Sequence, residues 1–511
     1  MDISRWISDA AARNPANTAV RFESSELSYS DLEWRVAALA GVLRDAGAAS
    51  GDRVAYLGPN CPELLEALFA CARLGAIFVP LNARMTAAEL RLFVEQASPS
   101  VLLAEESFSQ TAGECADPQQ IPILRFSIGD RWDGPRVSPG LHVDASSPVL
   151  IFFTSGTTGT PKGAVLTHGA LIAHAAGTAE VLRMTATDQV LTFTPMFHVA
   201  GLNLLTTPAL SIGATVTVHR QFDPAAVLAE LAKGTVRLLV SSPHMTFELA
   251  AHPAWEHTDL GRLRCVMTGG TTVPTRALDC WTNRGVAVIQ SYGLTEAGGS
   301  VTLVPIEEAP AKSTTAGRPM PQCEVRVVDS SGHTAPPGQD GEIVVRGPSV
   351  MREYWQNPRA TTEAMHDGWL HTGDLGFLDT DGYLHIIDRI KEVIIVGVSN
   401  VAPADLEAVL ADSPDIAAAA VVGRPDGKLG EVPVAFVVRT AGSQLSAGQV
   451  LALFDGRVAP YKRPRDVIFL DAMPRTPVGK PEKKALRALA APSACAPPDR
   501  GTLRGQLRRT G

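Results

Sequence analysis

Cysteine is scarce and scattered in this chain of 511 residues. The seven cysteines (Cys61, Cys71, Cys115, Cys265, Cys280, Cys323 and Cys495) include no C-x-x-C pair, and their number is odd. That argues against a disulfide framework and against a zinc site. An excess of positive charge is missing as well: Lys and Arg number 45 against 53 Asp and Glu, a net charge of −8. General nucleic-acid binding is therefore not expected. No stretch of about 18 uncharged apolar residues occurs, so no membrane span is expected. Met1-Asp2-Ile3-Ser4-Arg5-Trp6 carries no signal-peptide pattern. The expectation is a cytoplasmic protein. No internal repeat is found. The remaining composition, 45% hydrophobic and 19% charged, is that of a folded globular chain.

The charge is unevenly spread. Residues 389–511 hold 18 Lys and Arg against 12 Asp and Glu; the rest holds 27 against 41. A cationic C-terminal module on an anionic body suggests two domains with different tasks. The N-terminal third alternates helix and strand signals. Ser30 and Glu33 fit a capping box for a helix that carries Leu32, Val36, Leu39, Ala40 and Leu43 on one face and stops at Gly47. A strand at Val54–Leu57, a helix from Pro62 to Leu74 ending at Gly75, and a strand at Ile77–Val79 follow. Such alternation predicts an α/β fold with parallel sheets. Around Gly317–Gly347, short strands between Pro/Gly turns predict a small β subdomain. From about residue 393 short α and β elements return. The boundaries expected are 1–388, 389–490 and a basic, disordered tail at 491–511.

The strongest local signal is Thr154-Ser155-Gly156-Thr157-Thr158-Gly159-Thr160-Pro161-Lys162-Gly163. It follows Val149–Phe153, an apolar run that reads as a buried strand. Its glycines let backbone N–H groups approach an anion, its hydroxyls add donors, and Lys162 adds a positive charge. This is the chemistry of a phosphate cradle. It is not a Walker A loop, because Pro161 and Gly163 stand where that motif needs Gly and Ser/Thr. The plain alternative is a Gly/Ser/Thr surface turn.

Three further segments carry chemistry. Gln290-Ser291-Tyr292-Gly293-Leu294-Thr295-Glu296 follows the strand Val286–Ile289 and reads as a loop at a strand's C-terminal end, where α/β proteins place ligands. Tyr292 could stack on a purine, Thr295 meet a phosphate, and Glu296 hold Mg²⁺ beside a triphosphate. His371-Thr372-Gly373-Asp374 offers a carboxylate to the hydroxyls of a ribose, or is a tight Gly-Asp turn. Pro474–Lys480 presents a lysine on a Gly/Pro-rich loop, or merely a solvated one.

Taken in order, these segments, with Asp388-Arg389-Ile390-Lys391, resemble the adenylate-forming superfamily of acyl-CoA synthetases, firefly-type luciferases and peptide-synthetase adenylation domains. The resemblance runs from about residue 10 to about residue 490, and fatty acyl-CoA synthetases are the most similar. It implies ATP-dependent formation of an acyl-AMP, release of pyrophosphate, and transfer of the acyl group to a thiol. It assigns Thr154, Ser155, Gly156, Thr157, Thr158, Gly159 and Lys162 to the outer phosphates. Gly270, Thr271 and Tyr292 go to adenine, Ser291 and Gly293 to the nucleotide generally, Thr295 to the α-phosphate, Glu296 to Mg²⁺, Asp374 to ribose, and Arg389 to ribose or phosphate. Lys480 would bridge the carboxylate and α-phosphate during adenylation, and Lys391 would be the hinge before the second half-reaction.

The resemblance also implies an acid pocket around His198, Val199, Gly201 and Gly298. Amino-acid-activating relatives place an Asp where His198 stands, so an amino acid is disfavoured and a fatty or similar apolar acid expected. His198 reads equally well as a hydrogen-bonded core histidine. One segment departs from the family: Gly397-Val398-Ser399-Asn400, on the implied thiol tunnel, has Val398 for a glycine and Ser399 for a glutamate. That leaves two acceptors open, coenzyme A or the phosphopantetheine of an acyl carrier protein. A non-catalytic nucleotide sensor is the remote alternative; the presence of Lys162, Glu296, Asp374, Arg389 and Lys480 speaks against it.

Overall fold

A computed structural model describes residues 2–116, 120–139, 143–154, 161–269, 275–321, 323–396, 399–426, 429–458, 460–476 and 479–490. Two compact units emerge: the chain up to Lys391 together with Arg475–Lys480, and Glu392–Pro474 together with the residues from Pro481 onward. Residues 491–511, expected as a disordered tail, lie outside the described residues. No helix among the described residues is long and apolar enough to cross a membrane.

The first unit is built on three sheets. In the nine-stranded sheet, six neighbouring strands run parallel: Thr18–Phe22, Thr215–Val218, Gln189–Thr192, Leu238–Ser241, Cys265–Gly269 and Ala287–Leu294. In the seven-stranded sheet, Ile123–Phe126, Val101–Glu105, Arg53–Leu57, Ile77–Pro80 and Pro148–Thr154 are parallel. Lys162–Thr167 turns back antiparallel against Pro148–Thr154, and Glu353–Tyr354 closes that edge. Strands such as Ile77–Pro80 and Val101–Glu105 are buried at every position, as parallel strands covered on both faces must be. The third sheet is antiparallel and joins Glu324–Val328, Gly341–Arg346, Trp369–Leu378 and Leu384–Arg389. The small β subdomain thus extends well past the Gly317–Gly347 stretch that announces it.

The helix Pro62–Leu74 forms where its signals put it. Pro62 opens it without forfeiting a hydrogen bond, and Gly75 closes it at φ +69°. The neighbouring helix differs in its start. It spans Tyr29–Asp45, and the capping box is Ser28 with Asp31 rather than Ser30 with Glu33. Both pairs have the right spacing, and tertiary contacts decide between them. Starting at Ser28 buries Tyr29, whose hydroxyl donates to the Ala214 carbonyl at 2.7 Å. It also leaves Glu33 free to pair with Arg73 at 2.7 Å.

Between these two helices lies a buried charge cluster. Arg35 donates to Glu66 at 2.5 Å and to Glu63 at 3.0 Å. Trp132 Nε1 and the Gly129 N–H supply further donors to the same carboxylates. Burial, opposed by Arg35 and reinforced by Glu63, pushes the Glu66 carboxyl up to about 7. Such a cluster adds little net stability but is expensive to break.

The second unit is α+β. Ile394–Val396 pairs with Ser399–Val401 and with Gly430–Arg439. Gly430–Arg439 pairs in turn with Ile416–Asp426, and in parallel with Asp466–Phe469. The helix Pro403–Ala411 sets Leu406 and Leu410 into a core with Val421, Val437 and Phe454.

Candidate active site

Thr154 and Lys162 face each other as the last and first residues of paired antiparallel strands. Thr154 Oγ1 donates to the Lys162 carbonyl at 3.3 Å. Ser155, Gly156, Thr157, Thr158 and Gly159, between them, lie outside the described residues. The two residues that flank the segment are therefore held together at the C-terminal end of a parallel strand. Lys162 Nζ sits 5.1 Å from the ring centroid of Tyr354. The Tyr354 hydroxyl donates to Glu296 Oε1 at 2.8 Å.

The Gln290–Glu296 segment corrects the sequence reading. It is not a loop after a strand; the strand itself runs from Ala287 to Leu294. Through Ser291 it pairs parallel with Cys265–Gly269, and beyond that antiparallel with Gly299–Leu303. A single tight turn, Thr295–Ala297, reverses the chain, with Gly298 following at φ +75°. A Cβ on Gly293 would lie 1.9 Å from the Gly299 carbonyl oxygen, so only glycine fits where the two strands close. Ser291 Oγ and Ser300 Oγ bridge the same strands at 2.6 Å. Thr295 and Tyr292 are both buried. Gly270 and Thr271, just beyond the neighbouring strand, lie outside the described residues.

Asp374 is likewise in a strand, Trp369–Leu378, and not in a turn. Tyr292 donates to its Oδ2 at 2.7 Å and Arg389, directly across the ladder, pairs with Oδ1 at 2.6 Å. Gly373 adopts φ +69°, and its N–H donates to Glu342 at 3.0 Å. Burial raises the Asp374 carboxyl; Arg389, Tyr292 and Lys480 pull it back. Each carboxylate oxygen keeps a further lone pair for a ligand hydroxyl.

The segment 194–202, expected on the acid side, is held by long-range contacts. Asn60, buried in the other sheet's connection, accepts from the Met196 N–H at 2.8 Å and donates to the carbonyls of Thr194 and His219 at 2.9 and 3.2 Å. That pins the backbone leading to His198. His198 caps the short helix Val199–Leu202, its Nδ1 accepting the Ala200 N–H at 3.2 Å. The proton therefore resides on Nε2. Burial, aided by the charge of Lys480, holds the imidazole down to about 4, so it is neutral at pH 7. A Cβ on Gly201 would strike the Pro195 carbonyl at 2.2 Å. Asn203 donates to the Gly298 carbonyl at 2.9 Å, and His174 Nε2 accepts the Ser300 N–H at 3.0 Å. Val199 is buried beside them.

Lys480 ends a loop closed on itself. The Thr476 N–H donates to the Lys480 carbonyl at 2.7 Å, and Arg475 donates to the Gly479 carbonyl at 2.6 Å. The loop groups with the first unit, and the Lys480 charge acts on both His198 and Asp374. Lys391 is exposed and is the last residue before the chain passes to the second unit. Gly397 and Val398 lie outside the described residues, while Ser399 and Asn400 begin the strand Ser399–Val401. Asn60 and His174 were not singled out by sequence, and Tyr354 stood only in Glu353-Tyr354-Trp355, a segment supporting the resemblance, with no role of its own.

Residues 7–355 match the family model of the AMP-binding enzymes, and residues 405–480 that of their C-terminal domain. The chain belongs to the AMP-binding enzyme family. This AMP-binding enzyme is an acid–thiol ligase that forms an acyl-AMP. It is 43% identical over 502 residues to an indoleacetate–CoA ligase of Aromatoleum aromaticum, covering 96% of this chain and 98% of the relative. It is 40% identical over 485 residues to a feruloyl-CoA synthase of an Amycolatopsis species, covering 95% and 98%. Among solved structures it matches the O-succinylbenzoate coenzyme A synthetase of Bacillus subtilis in complex with ATP and magnesium, with a TM-score of 0.85, 30% identity, and coverage of 95% and 99%. The acids named for these three proteins are aromatic. Neither the fatty-acid expectation nor the carrier-protein acceptor finds support among them.

The residues suit a magnesium–nucleotide complex. Glu296 has one oxygen held by Tyr354, and no protein hydrogen bond among the described residues engages the other. No group of three or more His, Cys, Asp or Glu that could cage a metal exists among the described residues. A magnesium ion bound by one carboxylate, with nucleotide oxygens and water completing its shell, is the usual arrangement for such a donor set.

Proposed function

We propose that this enzyme joins an aromatic carboxylic acid, aryl or arylalkyl, to coenzyme A. His198 carries the reading. It is neutral where the resemblance puts a carboxylate in amine-activating relatives, so an α-ammonium would find no counter-charge. Val199, Gly201 and Gly298, which the resemblance puts on the acid side, are apolar, and an apolar lining accepts a flat ring. A ring also loses less conformational freedom on binding than a hydrocarbon chain of equal area. The acids of the two sequence relatives have this chemistry.

In the first half-reaction a carboxylate oxygen attacks the α-phosphorus of ATP. The bond to the bridging oxygen breaks and pyrophosphate leaves. The protein's task is to position and neutralise charge. Lys162 and the Thr154–Gly159 cradle take the outer phosphates, and Thr295 the α-phosphate. Lys480 lies across the reacting oxygens, and Asp374, held by Tyr292 and Arg389, accepts from the ribose hydroxyls. Glu296 would hold magnesium, which supplies charge neutralisation at the phosphates. In the second half-reaction the chain turns about Lys391. The thiolate of coenzyme A attacks the acyl carbonyl, the acyl–oxygen bond breaks, and AMP leaves.

The test is pyrophosphate release with indoleacetate, ferulate, phenylacetate, octanoate and an amino acid, followed by mass spectrometry of products formed with coenzyme A or a holo carrier protein. Aromatic acids should be activated at least about tenfold better than octanoate, as about 1.4 kcal/mol of differential binding would give. Preference for octanoate, or acylation of the carrier protein alone, would overturn the reading.

A further inference from the structure

Lys162 and Glu296 meet on a side chain that has no role in the reading above. Tyr354 donates its hydroxyl to Glu296 Oε1 at 2.8 Å and turns its ring toward Lys162, whose Nζ lies 5.1 Å from the centroid. The tyrosine is 7% exposed. Its backbone is fixed on both sides: Tyr354 pairs with Ala164, two residues beyond Lys162, and its N–H donates to Thr361 Oγ1 at 2.9 Å. The same segment holds the Glu296 turn a second time, because the Met351 N–H donates to the Glu296 carbonyl at 2.7 Å. A phenol is protonated at neutral pH, and facing a carboxylate that can only accept, it is the donor.

We propose that Tyr354 is a positioning residue that couples the phosphate lysine to the metal-binding carboxylate. The hydroxyl fixes one oxygen of Glu296 and thereby aims the other at a divalent cation carried by the nucleotide. The ring, whose face is electron-rich, holds the Lys162 ammonium until a phosphate takes it. A carboxylate held by one partner loses less freedom when it takes a second. The inference rests on the reading of Lys162 and Glu296 given above.

The two halves of the side chain can be tested apart. Tyr354→Phe keeps the ring and removes the hydroxyl; Tyr354→Ala removes both. Titration calorimetry of the full-length variants with ATP, first in EDTA and then with Mg²⁺, separates the contributions. Tyr354→Phe should bind ATP in EDTA like the wild type and lose about tenfold of the tightening that Mg²⁺ brings, the scale of a hydrogen bond to a charged group. Tyr354→Ala should lose affinity under both conditions. Equal weakening of Tyr354→Phe with and without Mg²⁺ marks a merely structural tyrosine and overturns the proposal, as does an undiminished Mg²⁺ effect. Glu296→Gln is the control. If it retains the full Mg²⁺ effect, the metal reading of Glu296 fails and this proposal with it. If it loses the effect while Tyr354→Phe keeps it, only Tyr354 is refuted.

Discussion

Tyr292 and Asp374, 82 residues apart in the chain, share a buried hydrogen bond of 2.7 Å between the phenol hydroxyl and Oδ2. The bond joins the parallel sheet to the antiparallel subdomain and presents one carboxylate in one orientation. Asp374→Ala should weaken ATP binding by about 1.5–3 kcal/mol, the usual loss for a hydrogen bond to a charged group. Apparent affinity for the acid should hardly change. ATP and acid titrations of the variant, measured separately, check the split; superimposable ATP curves would remove Asp374 from the nucleotide site.

Lys480→Ala should slow acyl-AMP formation by about 10²–10³, the scale for loss of one preorganised charge. Conversion of supplied acyl-AMP to thioester should survive, since that step is assigned to a different arrangement of the chain. An independent readout is His198. The Lys480 charge contributes to its depressed imidazole, so the His198 titration followed by NMR should move upward in the variant.

Three histidines predict acid sensitivity. His168, His174 and His198 are each held down to about 4, in every case chiefly by burial. The unfolded chain takes up these protons near pH 6.5 and the folded one only near 4, so their contribution is full above about pH 6.5 and is lost as pH falls toward 4. Tm should therefore climb with pH across that window. His174→Gln, which keeps an acceptor for the Ser300 N–H and removes one titrating group, should flatten the climb.

Arg35→Met should destabilise the first unit by about 3–5 kcal/mol, because it strands Glu63 and Glu66 without their cation. Denaturant unfolding measures the loss. A variant as stable as the wild type would mean that the carboxylates protonate at little cost.

Much of the frame was legible locally. The helix Pro62–Leu74 carries its own start and stop, and the strand Pro148–Thr154 is one apolar run between polar segments. The failures share a cause: the deciding partner is far away in sequence. Polar Gln290 and Ser291 look like the end of a strand until Gly299–Leu303 folds back to pair from Ser291 onward. Ser28 outcompetes Ser30 because Ala214 waits for Tyr29. Asn60 and His174 look like ordinary residues and Tyr354 suggests no role of its own; their partners at Met196, Ser300 and Glu296 stand 136, 126 and 58 positions away. Acid preference lay beyond local reading too, since small apolar residues suit a chain and a ring alike.

The scattered cysteines have a chemical consequence for an enzyme of this kind. An acyl-AMP is a mixed anhydride that any nearby thiolate would capture. Cys61, Cys71, Cys115 and Cys265 are buried free thiols. Burial pushes Cys61 and Cys71 far above their ordinary range, and Cys265 and the partly covered Cys323 up to about 12. Held as thiols, they are poor nucleophiles. Self-acylation is thereby suppressed at Cys61, Cys71, Cys265 and Cys323, and the competitive advantage passes to a thiol brought in from solution.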